Sequence, residues 1–397
     1  METAKKQVAA NNIAFLFLFA GIAALPLYTF FEVLNVHTSI NLGNTPYYIK
    51  AFKDITLLFM TLCWLLSSAR KIFIDKLLLC FYALIVCVIL KSLYVNKNVI
   101  SILCGIRWLW PLVMICFVRN IVGSSRKLEI LSLLLLVLFL LGAVLQLIQF
   151  LYGLMNAYNW YITKHNWYIV RYSGFCANPN TMATVAMIAM YYVDYYTSVK
   201  KKILLRLIVG LSIFFTHSAT GIIAFILYQV VMLKQKFGIR WQYMILLLIV
   251  CSGLLFANAS IISGRWGNVA TRSFMIRVGI LLKLCPETNL ISNDFGLYTN
   301  TALMLETKTD KIKGKYADST VISLVGNLGW LPMAALFLFA LKHIIINRDE
   351  QKTLHFIILF GCFGLTSIIL ESYPLNVLLS LETAMLVQET KTRNKTI

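Results

Sequence analysis

Charged residues are scarce in this sequence. Asp, Glu, Lys and Arg make up 13% of its 397 residues, whereas hydrophobic residues make up 59%. A soluble globular domain carries about 25% charged residues, so the composition excludes that class. Apolar runs recur along the chain, for example at 13–31, 77–93 and 131–154, and each is long enough for a hydrocarbon core of roughly 30 Å. The sequence predicts an all-α fold, that of a polytopic helical membrane protein.

Metal-ligand and disulfide patterns are also missing. The nine cysteines lie singly, mostly inside apolar runs, the five histidines are dispersed, and no Asp-x-Asp occurs. A buried thiol behaves as a small hydrophobic group, and none of the spacings matches a zinc or haem motif. We expect no metal and no cofactor.

Acidic residues are few, which leaves a formal net charge of +20. In a membrane protein this excess concentrates in cytoplasmic loops, so we expect no nucleic-acid partner. The twelve predicted spans cover 13–34, 55–69, 77–93, 99–118, 129–154, 182–198, 203–216, 220–233, 242–259, 319–341, 354–370 and 374–388. With both termini cytoplasmic, the inside segments are about three times denser in Lys and Arg than the outside segments. We expect the first apolar run to remain in the protein as a membrane span and not to be removed as a signal peptide.

Two of the predicted spans, 203–216 and 220–233, are shorter than the roughly 20 residues of a perpendicular helix. One continuous helix is the alternative, but it would place the basic residues after 233 outside, so charge favours a hairpin that turns at 217–221. The chain reads as a single membrane domain, 1–397. Its long external loops, 155–181 and 260–318, are the candidates for function, because binding residues concentrate on loops.

The first of these loops ends with Arg171 and leads into Asn178-Pro179-Asn180. Asn is a favoured helix cap, and proline fits the first helical position. A helix should therefore start here, with its N-terminal amides directed towards Arg171, an arrangement suited to an anion. The alternative is that Arg171 is only an interfacial anchor.

The second loop carries Arg265 near its start and then a mostly apolar segment with Arg272, Arg277 and Lys283. At 100° per residue Arg272 and Lys283 share one stripe of a helix, and Arg277 lies off it. A helix lying on the membrane surface would fit this pattern. Its basic residues could bind a substrate or simply anionic lipid head groups.

The second loop closes at Asp318, immediately before the tenth predicted span. A carboxylate at this position could cap the helix. It could also accept a proton from a sugar hydroxyl within hydrogen-bond reach. Both interpretations stay open from the sequence.

In order and spacing these segments resemble the O-antigen polymerase and O-antigen ligase superfamily of bacterial envelope glycan assembly. The resemblance covers roughly residues 165–340 and rests on Arg171-x-x-Gly174, Asn178-Pro179-Asn180, the turn Ser218-Ala219-Thr220-Gly221, the Arg272-led segment to Pro286, Asn289 to Gly296, and Asp318-Ser319 before Gly326 and Gly329. The usual ligase pattern has His-Asn in place of Asp318-Ser319 and an Arg in place of Ala219. These departures favour the polymerase branch.

The resemblance implies a metal-independent, membrane-type (GT-C-like) glycosyltransferase with a large periplasmic loop before the tenth span. It implies that the protein lies in the bacterial inner membrane with a periplasmic active site and undecaprenyl-diphosphate-linked oligosaccharides as donor and acceptor. Membrane lipids and a chain-length regulator protein are the other expected partners. Arginine binds phosphate oxygens bidentately. The implied roles are the diphosphate site for Arg171, Arg265, Arg277, Asn178, Asn180 and His217, and catalysis for Arg272 and Asp318.

Two other functions fit the same sequence. A ligase would transfer finished polymer to lipid A-core. A flippase for lipid-linked oligosaccharides would also have about twelve spans, but its halves should be related, and no duplication is evident. Arg107, inside the predicted span 99–118, is the feature most typical of a transporter. It could equally contact the diphosphate or extend to the interface.

Overall fold

The computed structural model describes residues 2–27, 45–66, 75–122, 124–152, 171–176, 178–197, 202–237, 276–283, 289–306, 314–315, 319–346, 350–364, 369–371 and 375–393. Among these residues the regular structure is helical, with no strand. The predicted all-α class is confirmed for this part of the chain. The predicted span 242–259 lies outside it.

The helices follow the apolar runs of the sequence. They are α1 (Glu2–Ala23), α2 (Thr45–Leu66), α3 (Lys76–Asn96), α4 (Val99–Met114), α5 (Val118–Val122), α6 (Ser125–Tyr152), α7 (Pro179–Tyr196), α8 (Lys202–Thr216), α9 (Ala219–Phe237), α10 (276–283), α11 (Asn300–Glu306), α12 (Thr320–Leu328), α13 (Trp330–Ile346), α14 (Glu350–Ile357) and α15 (Leu375–Arg393). A π-helical turn (Ile358–Phe363) and a 3-10 turn (Ile369–Glu371) follow α14.

Three helical segments in the described residues are long and apolar enough to cross a membrane: Ala9–Leu27, Lys76–Asn96 and Ser125–Tyr152. The other apolar helices, such as Val99–Met114 and Trp330–Ile346, are shorter. These segments support a membrane protein. The count of twelve spans, their orientation and the GT-C-like arrangement remain predictions.

Two predictions about helix ends have clear outcomes. The pair 203–216 and 220–233 forms two separate helices, α8 and α9, interrupted at 217–218. By contrast, the prediction that the segment 319–341 is one helix is wrong, because Gly329 separates α12 from α13 with φ +87°. The crossing of the membrane by this segment remains a prediction. A Cβ atom at Gly329 would lie 2.7 Å from the carbonyl oxygen of Leu290, so only glycine fits this approach.

The chain divides into two compact units. The first comprises Met1–Phe73, Pro111–Phe225 and Ser372–Met385. Within it α1 packs against α2, and α7 packs against both α6 and α8. Helix α7 is central, since every residue from Met182 to Val193 is buried.

The second unit comprises Ile74–Trp110, Ile226–Glu371 and Leu386–Ile397. Within it α3 packs against α13. Asp75 caps the N-terminus of α3 by accepting a hydrogen bond from the amide of Leu77 (2.9 Å), and it forms a 2.6 Å salt bridge with Lys342 of α13. Helix α12 is almost entirely buried, so the unit is built around it.

Candidate functional site

Arg171, in the first unit, is held by two hydrogen bonds. Its Nε donates to the carbonyl oxygen of Thr216 (2.8 Å), and its Nη2 donates to Oδ1 of Asn180 (2.9 Å). The guanidinium is planar and carries five N–H donors, so two bonds to different helices fix its plane. Because the guanidinium is half-buried and held in one orientation, we favour a binding role for Arg171 over that of an interfacial anchor.

Two helices begin beside this guanidinium. The side chain of Asn178 caps α7 by accepting from the amide of Asn180 (2.8 Å), which confirms the predicted helix start. Ser218 precedes α9, and its Oγ accepts from the amide of Gly221 (3.1 Å) and donates to Oδ1 of Asn180 (2.8 Å). Helix N-termini carry positive partial charge and bind anions. The N-termini of α7 and α9 therefore add to the charge of Arg171.

His217 occupies the turn between α8 and α9. Its φ of 45° lies in the left-handed region, which few residues other than glycine adopt. Burial lowers the pKa of His217, and the nearby charge of Arg171 lowers it further. The imidazole is therefore neutral near pH 7 and can accept or donate a hydrogen bond. The structure thus brings together Arg171, Asn178, Asn180 and His217 from the predicted set.

Two glutamines that the sequence interpretation missed hold the loop that carries Arg171. Gln149 of α6 donates to the carbonyl oxygen of Gly174 (2.9 Å) and accepts from its amide (3.0 Å). Gln146, one turn earlier and fully buried, donates to the carbonyl oxygen of Tyr172 (2.9 Å). Two glutamines three residues apart in an apolar helix lie on one face. This spacing is the sequence feature that could have identified them as a polar contact point of the helix.

In the second unit, residues 289–306 of the large predicted loop pack against α4 and α12. Phe295 and Thr299 are fully buried. Asn327 of α12, also fully buried, accepts hydrogen bonds through Oδ1 from the amides of Gly296 (2.9 Å) and Tyr298 (3.1 Å). Its Nδ2 donates to the carbonyl oxygen of Tyr298 (3.0 Å). We call residues 289–306 the clamped segment.

Gly296 lets the clamped segment approach α4 closely. Its φ is +86°, and a Cβ atom there would overlap the carbonyl oxygen of Ser101. A larger residue would push the segment away from the helix. Gly296, which the sequence resemblance includes in the motif from Asn289 to Gly296, is thus required for this packing.

The cap of α12 differs from the predicted one. The helix begins at Thr320, and Ser319 caps it by accepting from the amide of Ile322 (3.2 Å). The interpretation of Asp318 as the cap is therefore wrong, because the helix starts one residue later and Ser is an equally good cap. Asp318 itself lies outside the described residues, as do Arg265 and Arg272.

Arg277 lies on α10 and is half-buried. Ile280 and Leu281 of the same helix pack against Tyr298 and Ile322, so α10 lies against the clamped segment. Because residues three and four apart lie on one side of a helix, Arg277 is on the side that faces this contact. Its proposed contact with a diphosphate remains a prediction.

No model of a known protein family and no curated protein matches this chain. Among the described residues, no group of three or more His, Cys, Asp or Glu side chains is placed to hold a metal ion.

Proposed function

We propose that this protein is an O-antigen polymerase, or the polymerase of a related surface polysaccharide. In this proposal it is a metal-independent membrane glycosyltransferase that joins undecaprenyl-diphosphate-linked repeat units at the periplasmic face of the bacterial inner membrane. The observation that carries the proposal is the position of Arg171 beside the N-termini of two helices. Such a site suits an anionic leaving group.

The charges at this site match a diphosphate. Arg171 supplies a guanidinium that stays protonated at every physiological pH. The N-termini of α7 and α9 add partial positive charge. His217 is neutral, so it leaves the positive charge of the site unchanged. Donors fixed before the reaction stabilise charge that develops in the transition state, and this is often the largest catalytic contribution.

The reaction can be written with these groups in defined roles. The oxygen of an acceptor sugar hydroxyl attacks the anomeric carbon of the donor glycan, and the bond from that carbon to the diphosphate oxygen breaks. Undecaprenyl diphosphate leaves with the electron pair, and Arg171 stabilises its charge. The sequence resemblance assigns the same role to Arg272, with help from Arg265 and Arg277. The carboxylate of Asp318 takes the hydroxyl proton.

The role of Asp318 can be tested without interference from helix capping, because Ser319 is the cap. We expect Asp318→Asn to abolish polymer while the protein stays abundant in the membrane, since an amide cannot act as a base. Ser319→Ala is the matched control. It should lower thermal stability by about 1 kcal/mol and leave polymer in proportion to the remaining protein. A normal polymer ladder from Asp318→Asn would refute the catalytic role.

The function itself is tested by the lipopolysaccharide of a strain that lacks this protein. A polymerase predicts lipid A-core that carries one repeat unit. Bare core with polymer retained on its lipid carrier would indicate the ligase instead. Bare core with repeat units trapped inside the cell would indicate the flippase.

A further inference from the structure

Two apolar helices of the second unit hold the clamped segment, and both bear on where it lies relative to the membrane. Helix α3 is one of the segments long and apolar enough to cross a membrane. Helix α4 is also apolar and begins after a connection of only two residues. A connection this short returns the chain along the way it came. Helix α4 therefore leads back into the membrane from the surface at which α3 ends.

The clamped segment begins beside the end of α3. Nζ of Lys91 donates to the carbonyl oxygen of Ile291 (2.8 Å), and Nδ2 of Asn96 donates to the carbonyl oxygen of Asn293. Asn96 is the last residue of α3, and Lys91 lies in its last two turns. The start of the segment is therefore level with the membrane surface at this end of α3.

From this level the segment follows α4 inward. Ala302 is fully buried against Cys104 of α4, and Nη1 of Arg107 donates to Oγ1 of Thr301 (2.8 Å). Arg107 is the ninth of the 16 residues of α4. At about 1.5 Å per residue it lies about 12 Å from the start of the helix. The tip of the segment, Thr301 and its neighbours, is thus beside the middle of α4.

The chain then returns to the level at which it entered. The amide of Lys315 donates to the carbonyl oxygen of Leu297 (2.9 Å), and its Nζ forms a 2.6 Å salt bridge with Asp294. The side chains of Lys315 and Asp294 are 46% and 27% exposed, and charged groups avoid the membrane interior. The entry and the exit of this part of the chain are therefore side by side.

The backbone of the clamped segment is bonded to protein side chains. Irregular backbone occurs at membrane depth only where protein buries it or where it lines a water-filled cavity. Side chains of three other elements accept hydrogen bonds from its amides: Ser92 from Phe295 (3.3 Å), Asn327 from Gly296 (2.9 Å) and Tyr298 (3.1 Å), and Glu371 from Asn300 (2.8 Å). The segment therefore meets the requirement for a position inside the membrane.

We propose that the clamped segment is re-entrant: it enters the membrane at the end of α3, reaches the middle of α4 at Thr301, and leaves on the same side by Lys315. The sequence interpretation had placed it in an external loop. Asn300, next to the tip, is exposed, and a polar side chain at this depth faces water. A water-filled cleft therefore leads from the surface to the tip. Arg107, an arginine inside an apolar helix, has a partner at its own depth in this segment.

A spin label on α4 tests the depth. The full-length protein would carry the label on Leu103→Cys, with its other cysteines replaced by alanine, in lipid vesicles. Leu103 precedes Cys104 and is 61% exposed. We expect oxygen, which concentrates in hydrocarbon, to relax the label, and a water-soluble nickel complex to have little effect. Tyr94→Cys is the matched control. Tyr94 is 82% exposed near the end of α3, so its label should respond to the nickel complex.

A cross-link tests the position of the tip. Ala302→Cys places a second thiol beside the native Cys104. Mild oxidation, or a short bifunctional thiol reagent, should join the two residues in vesicles, and mass spectrometry would detect the linked peptides. Cys104→Ser in the same chain is the control and should abolish the link.

An impermeant thiol reagent tests the return of the chain. Asn96 and Lys315 are both exposed, and the inference places them on one side of the membrane. Cysteines introduced at these two positions should therefore both be labelled in cells whose outer membrane is permeabilised, or both be protected.

Three results would overturn the inference. A label at Leu103 that responds to the nickel complex would place α4 in water. Absence of the link between residues 104 and 302 with both reagents would show that the segment does not reach the middle of α4. Labelling of only one of the cysteines at 96 and 315 would show that the chain crosses the membrane between them. None of these measurements uses polymer, so failure of the polymerase proposal would leave the inference standing.

Discussion

Replacing Asn327 by leucine tests whether the clamped segment depends on one buried side chain. Asn327 is fully buried and accepts hydrogen bonds from the amides of Gly296 and Tyr298. Leucine has a similar volume but no polar atom. The carbonyl oxygen of Tyr298 would keep a partner, because Oγ of Ser323 donates to it at 2.7 Å. The two amides would lose theirs.

The expected cost follows from those two amides. A buried group left without a hydrogen bond costs about 1–3 kcal/mol, so the pair should destabilise the clamped segment by about 2–6 kcal/mol. Even the lower value raises the equilibrium population of the locally opened state roughly thirtyfold, at about 1.4 kcal/mol per factor of ten. Residues 289–306 should then exchange their amide hydrogens with solvent much faster.

Hydrogen exchange of the purified full-length protein, read by mass spectrometry, measures this opening directly. Ser132→Ala is the control. Ser132 is also fully buried, but its hydroxyl donates within its own helix, to the carbonyl oxygen of Leu128 (2.6 Å). It should leave exchange at 289–306 unchanged. If Asn327→Leu also leaves that exchange unchanged, Asn327 does not hold the clamped segment in place.

Two further predictions concern pH and topology. Burial raises the pKa of Asp75, but the hydrogen bond from Lys342, the amide of Leu77 and the charges of Lys342 and His343 together lower it more, so the net pKa is below its usual value. The stability from this pair is present above the unfolded-state pKa of about 4 and is lost as the pH falls through the folded-state pKa. The melting temperatures of wild type and Asp75→Asn should therefore differ at pH 7, and the difference should shrink as the pH falls below about 4, whereas a constant difference would contradict this. In permeabilised cells an impermeant thiol reagent should label cysteines introduced at His165 and Asn300 but not at Lys236, and the reverse pattern would invert the orientation.

Local signals in the sequence predicted several features correctly. The apolar runs predicted helices, and Asn178-Pro179 predicted the start of α7 because these residue types suit a cap and a first turn. The break at 217–221 followed from charge, since a single helix would have left basic residues outside. The helices and the cap depend on neighbouring residues only, whereas the break also uses the charge distribution of the whole chain.

The remaining features depend on contacts between distant parts of the chain. The run 319–341 is mostly apolar, and nothing in it indicates that Leu290 approaches Gly329 and ends the helix. Asn327 looks like an ordinary polar residue in a span until the amides of Gly296 and Tyr298 are placed beside it.

The cap of α12 was misplaced by one residue because Asp318 and Ser319 are both good caps. The hydrogen bond from the amide of Asn300 to Glu371 joins residues 71 positions apart, so no local pattern indicates it.

Reconstitution gives the most direct test of the polymerase proposal. The purified protein would be placed in vesicles with undecaprenyl-diphosphate-linked single repeat units, and the products would be separated by length. We predict a ladder of lipid-linked chains with release of undecaprenyl diphosphate. We also predict a loss of about 100-fold or more in rate for Arg171→Ala, partial recovery for Arg171→Lys, and normal activity for exposed Arg126→Ala. Single repeat units that stay unjoined with the wild type would contradict the polymerase proposal, and a full ladder from Arg171→Ala would contradict the role of Arg171.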